Sequence, residues 1–141
     1  MNMTETNTLT LATALDRIVG DISSDGLDTY LETEHPEVTF ICDTLKISPL
    51  QAVIFAVILE KSGDDLATTR DLMNALSISK IRLLGLKKEF DELADKRLVV
   101  VRKRRGGSVG YRVSQSVVKA VQNNTPVQPE SLTGLSTRAI F

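Results

Sequence analysis

Five basic side chains around a glycine pair are the residues most able to do intermolecular chemistry: Arg102, Lys103, Arg104 and Arg105 precede Gly106 and Gly107, and Arg112 follows. Guanidinium and ammonium groups on a glycine-tipped turn can reach phosphate oxygens, and such contacts set position more than base preference. Upstream, Lys80, Arg82 and Lys88 share a stretch with Ile81 and Leu84. Arg82 is the one guanine-reading candidate there, because no Asn or Gln lies between Ser79 and Asp95 to pair with adenine. A basic run can equally be a solvated face. Other chemistry is sparse. His35 and Cys42 are the only residues of their kind, which disfavours multi-cysteine zinc sites, His-Asp hydrolase machinery and intramolecular disulfides. Cys42 follows Phe40 and Ile41 and reads as a buried thiol, and His35, just before Pro36, as the end of a helix. Gly106–Gly110 lacks the Lys-Ser/Thr of a phosphate loop. Asp64-Asp65 lacks a calcium loop, and Asp16, Asp21, Asp25 and Asp28 show no common metal geometry. No catalytic residue, metal or cofactor is assigned.

Charge is divided along the chain. The net charge is -1, but residues 1–78 hold thirteen acids against four bases, and residues 79–112 hold eleven bases against four acids. One segment of a near-neutral protein can therefore attract a polyanion or pair with the acidic half. With 141 residues, 42% hydrophobic, the chain has the size of one compact domain. The longest apolar run, Ala52–Leu59, is far too short for a membrane span, and the first twenty residues lack a basic signal-peptide start. No membrane association and a cytoplasmic location are expected. Six aromatic residues without tryptophan disfavour a base-stacking groove.

The elements that must position these residues are mostly helical. Leu9, Leu11, Ala12, Leu15, Ile18 and Val19 recur at helical spacing, with Thr8 as the expected cap and Gly20 as the expected end. Leu27, Tyr30 and Leu31 form a second short stripe that Pro36 should stop, and Val38–Ile47 is read as helix rather than strand. Ser48, Pro49 and Gln51 combine a capping box with proline at the first helical position, predicting a helix over 49–61. Leu66 and Ala67 suggest a short extended piece. Thr68 and Asp71 cap a helix over 69–76, and a longer one is expected over 80–95, with Leu83, Leu86, Phe90 and Leu93 inward. Strands near 98–103 and 110–113 then flank the glycines as a hairpin. Ser114 should cap a last helix over 115–122, with Val117, Val118 and Val121 facing inward.

From Ser48 to Val121 this order resembles a winged-helix domain, most of all the stretch from Leu83 to Val113. Arg97-Leu98-Val99 stands where that family usually has Gly-Leu-Val, so the left-handed cap that glycine favours would fall on an arginine. The whole chain also resembles the region preceding the core of bacterial AAA-type ATPases. There, helices precede a winged helix and a Pro/Ser-rich connector such as Thr125-Pro-Val-Gln-Pro-Glu-Ser-Leu-Thr-Gly-Leu-Ser leads to the ATPase, so the chain is expected to be a fragment of a longer protein.

The resemblance implies a mainly α fold with a small β wing, a winged helix-turn-helix preceded by N-terminal helices. The expected division is an N-terminal helical extension over 1–47, the winged helix over 48–122 and a flexible tail over 123–141. Two functions follow. One is a non-enzymatic adaptor that binds a protein partner or an adjacent ATPase domain, with Ile81 and Leu84 covered by the N-terminal helices or by an interface. The other is double-stranded DNA binding through Lys80, Arg82, Lys88 and the wing, in which case Leu84 should be solvent-exposed and free of protein contacts. Homodimerisation through the N-terminal helices is a third reading.

Overall fold

The computed structural model describes residues 10–62 and 65–125. The described chain runs α1 (Leu11–Asp25), α2 (Leu27–Tyr30), α3 (Pro36–Leu45), α4 (Pro49–Ser62), β1 (Ala67–Thr68), α5 (Thr69–Leu76), α6 (Lys80–Leu84), α7 (Lys87–Asp95), β2 (Val99–Lys103), a 3-10 turn (Arg105–Gly107), β3 (Val109–Val113) and α8 (Gln115–Asn123). The fold is mainly helical, with one small antiparallel sheet in the order β1-β3-β2. The expected cap at Thr8 lies outside the described residues, as does the expected tail over 123–141 beyond residue 125, and Asn123 still belongs to α8.

Helix α1 begins on a capping box in which Thr13 N–H donates to Thr10 Oγ1 at 3.1 Å and Thr10 N–H to Thr13 Oγ1 at 3.0 Å. It does not stop at Gly20. That glycine faces open space, and an exposed mid-helix glycine costs only about 1 kcal/mol against alanine, which the packing of Ile18 and Ile22 offsets. Gly26 ends the helix instead, at φ +83°, with its N–H on the Ile22 carbonyl at 2.8 Å. Pro36 likewise starts α3 rather than ending a helix. His35 is the N-cap, and proline is well placed at N1 because the N–H it lacks would have no helical partner.

Helix α4 is the centre. Gln51 to Ile58 are all buried, so it has no polar face, and it packs against α1, α3, α5, α7, β1 and β3. Its expected cap forms, with Gln51 N–H donating to Ser48 Oγ at 3.2 Å and Ser48 N–H to Gln51 Oε1 at 3.1 Å. Helices α3 and α4 meet at 91°. Lys46 turns the chain there with a left-handed φ of 60°. A single hydrophobic cluster extends from Leu11 on α1 to Val117 on α8.

The helix expected over 80–95 is broken. Gly85 N–H donates to the carbonyls of both Ile81 and Arg82, Leu86 N–H closes a tight turn on Leu83, and Phe90 N–H restarts the ladder on Leu86. Glycine weakens the helix at that point. A 3-10 turn also brings residues three apart onto one side, which lets Leu83 and Leu86 both enter the core. Phe90 is buried as expected, and its ring meets Tyr111 of β3 at a centroid distance of 4.8 Å. Arg97 adopts the left-handed conformation at φ 65°, and Leu98 N–H reaches back to the Leu93 carbonyl at 3.1 Å to close the helix end.

The hairpin pairs Val99 with Val113, Val101 with Tyr111 and Lys103 with Val109. Gly110 lies under Leu66, where an added Cβ would sit 2.7 Å from Leu66 Cβ. At the start of α8 the Ser114 hydroxyl makes no cap. It donates to the Arg97 carbonyl at 2.7 Å and so ties the hairpin's exit to its entrance. Val117 is buried, whereas Val118 and Val121 are half-buried.

Candidate interaction surface

Strand β2 carries its charge outward from a buried root. Val99 is buried, Val101 is 41% exposed, and Arg102, Lys103, Arg104 and Arg105 are all exposed. Arg102 stands opposite Gly110 and Arg112 opposite Val100, so the two arginines share one face, while Lys103 lies on the Val101–Tyr111 face. Gly106 and Gly107, at φ 81° and 86°, turn the tip, and Arg104 N–H donates to the Ser108 carbonyl at 2.8 Å. Among the described residues none of these four cations, nor the half-buried Arg112, makes an ion pair. Their charge is therefore directed into solvent.

Helix α6 presents a different character. Its N-cap is Ser79, whose Oγ accepts from Arg82 N–H at 3.1 Å. With only Leu83 buried, Ile81 is 81% exposed and Leu84 65% exposed. The expectation that the N-terminal helices cover this pair is overturned: α1 and α3 spend their apolar faces on α4, and α2 is a single turn. Arg82 is drawn aside, its guanidinium 2.6 Å from Asp28 Oδ1 of α2. Both side chains of that pair are largely exposed, so it holds Arg82 only weakly. Lys80 is free of ion pairs among the described residues, whereas Lys88 lies 4.0 Å from Glu92. Lys87 donates to Asp91 at 2.7 Å, a bond that raises the lysine's pKa.

The acids of α7 do not all face outward. Gln51 Nε2 of α4 donates to Glu92 Oε1 at 2.6 Å and to Glu89 Oε1 at 3.1 Å, which turns two carboxylates toward the protein. Asp91 and Asp95 remain exposed. This inter-helix anchor was not read from the sequence, since Gln51 already served as a capping residue and gave no sign of a second role.

A second polar cluster was also missed. Tyr30 Oη donates to Glu37 Oε2 at 2.9 Å, the Tyr30 and His35 rings stack at 3.9 Å and 6°, and Asp21, His35 and Glu37 converge. Burial pushes the Tyr30 phenol well up, and the Glu37 bond and the charges of Glu37, Asp21 and Asp25 add to it. Burial also raises the phenol of Tyr111, with Asp91 second. Cys42 is half-buried rather than buried, and desolvation followed by Asp43 raises its thiol, the opposite of an activated nucleophile. Among the described residues, no helix is long and apolar enough to cross a membrane. Comparisons with family models, curated proteins and solved structures find no match to this chain.

Proposed function

We propose that this chain is a winged-helix module acting as a non-enzymatic, cytoplasmic adaptor, which docks a protein partner or an adjacent ATPase domain through α6. The order α4, β1, α5, α6–α7, β2–β3 supports the winged-helix reading, with β2–β3 as the wing. The observation that carries the adaptor reading is the exposure of Ile81 and Leu84, three residues apart on one short helix. Burying an aliphatic side chain of this size gains about 1.5–3 kcal/mol, and isolated apolar patches rimmed by charge mark protein contacts. The stretch α6–α7 is poorly equipped to read bases, because Lys88 on α7 approaches Glu92, Asp91 and Asp95 are exposed on that helix, and no Asn or Gln lies between Ser79 and Asp95 to pair with adenine.

The test is a photo-crosslinking amino acid at position 84, with a second at position 119 as control, in cells producing the full-length protein. A dominant adduct to one other protein or to the adjoining ATPase domain, specific to position 84, is the expected result. Adducts only to DNA would overturn the adaptor reading, and adducts only to a second copy would make the surface a homodimer interface.

DNA binding through the wing is the second reading, favoured by four exposed cations without ion pairs among the described residues. It predicts sequence-independent affinity for unrelated duplexes at about 50 mM salt, with the log–log salt slope reduced by roughly 2 in the R104A/R105A double variant. No binding at tens of micromolar protein would remove it for the isolated chain.

A further inference from the structure

Asp21 lies near the end of α1, His35 caps α3 and Glu37 is in the first turn of α3, yet one ligand atom from each lies within 4.8 Å of the others. His35 Nε2 is 2.8 Å from the Tyr30 carbonyl oxygen and 3.2 Å from Thr33 Oγ1. A carbonyl only accepts, so Nε2 carries a proton, and Nδ1 is the nitrogen on the side of Glu37 Oε2, 3.8 Å away, where a metal would take its lone pair. The ring cannot swing out freely, because it is stacked on buried Tyr30. Glu37 is held as firmly: its side chain is only 7% exposed, and Oε2 accepts the Tyr30 hydroxyl. One ligand atom from each of the three residues thus lies close to those of the other two, and among the described residues Nδ1 takes part in no hydrogen bond.

We propose that His35 Nδ1 and one carboxylate oxygen each from Glu37 and Asp21 bind a divalent first-row transition ion, with zinc the best match. Bonds of about 2.0 Å in a tetrahedral site put neighbouring ligand atoms roughly 3.3 Å apart. The 3.8 Å separation of His35 and Glu37 needs a contraction of about half an ångström, and exposed Asp21 can rotate to close the third side. The supporting contacts are those such a site requires: the histidine's other nitrogen donates to a backbone carbonyl, and the ligating carboxylate receives a hydroxyl. An imidazole ligand and only two carboxylates suit zinc or cobalt better than calcium or magnesium, which take oxygen shells. The ion would join α1 to the start of α3, and water would fill its remaining positions.

The test is calorimetric titration of the untagged full chain with Zn²⁺, with Co²⁺ absorption as a direct report of the ligand set. One ion per chain is expected, with affinity at least tenfold weaker in both Asp21→Asn and His35→Gln. Asp21 is exposed, so Asp21→Asn should keep the metal-free melting temperature and separate a lost ligand from a lost fold. Mg²⁺ should bind much more weakly than Zn²⁺. The proposal is overturned if no saturable one-to-one binding occurs below about 100 μM Zn²⁺, if Mg²⁺ binds as tightly, or if both variants bind as the parent does.

Discussion

Gln51 Nε2 and Glu92 Oε1 lie 2.6 Å apart, joining the first turn of α4 to the middle of α7. The same nitrogen serves Glu89, so one buried amide supplies a donor to two carboxylates beside the positive end of the central helix. Gln51→Leu should keep an apolar stem but leave both acids without that donor. Gln51→Glu instead keeps the oxygen that accepts from Ser48 N–H and removes only the donor, so the two variants separate the cap from the anchor. Hydrogen bonds to charged groups are worth about 1.5–3 kcal/mol, and a loss of that size is expected in urea unfolding. An unchanged urea midpoint would show that Glu89 and Glu92 are satisfied by water instead.

Gly110→Ala should destabilise the sheet. The new methyl would come within 2.7 Å of Leu66 Cβ and 2.8 Å of Leu66 Cδ1, and the Cβ cannot move without its backbone. Overpacking of this kind costs about 1–3 kcal/mol. Combined with Leu66→Gly, which removes both contacting atoms, Gly110→Ala should cost less in thermal melts, measured against the matching Leu66 background, than it does alone; a defect unrelated to this contact would not show that.

Arg97→Gly should stabilise the protein. Arg97 is exposed and held at φ 65°, a conformation that costs an ordinary residue roughly 1–2 kcal/mol. Glycine's larger unfolded-state entropy takes back part of that, leaving a net gain of about 0.5–1 kcal/mol. A melting temperature a few degrees higher is the expected result. A lower one would mean that the arginine side chain makes a contact worth more than the strain.

Stability should fall in alkali through Tyr30. Its folded pKa is raised above the unfolded value of about 10, so both states are protonated at neutral pH and the contribution is fully present there. Above about pH 10 the unfolded chain releases this proton while the native state retains it, so folding stability declines by up to about 1.4 kcal/mol per pH unit. Tyr30→Phe should be less stable at pH 7, having lost the bond to Glu37, but should show a shallower alkaline decline. Equal slopes in the two proteins would place the titration elsewhere.

The helices over 49–62 and 69–76 and the hairpin were legible because their signals are local. Ser48 with Gln51, Thr68 with Asp71 and the glycines of the hairpin each specify a boundary within a few residues. Arg97 was marked out by the winged-helix resemblance instead, as an arginine where that family usually has glycine, and it does adopt the left-handed conformation. Gly20 and Gly85 were misread in opposite directions, since glycine's modest helix penalty is decided by packing: solvent around Gly20 let the helix pass, while the inward pull of Leu83 and Leu86 bent it at Gly85. The exposed basic run could be found from composition alone. The Arg82–Asp28 pair and the meeting of Asp21 with His35 and Glu37 could not, because tertiary packing brings these partners together.

Helix α4, apolar on every side, also sets the order of events at the ribosome. Its last residue is made roughly fifty residues before the end of β3, one of the elements that covers it. At typical synthesis rates of about 5–20 residues per second, that leaves several seconds in which α1 and α3 shield only part of its surface. During that interval the nascent chain displays a short, strongly apolar segment of the kind chaperones capture, so yield in the cell should depend on translation speed through residues 63–113 as well as on final stability.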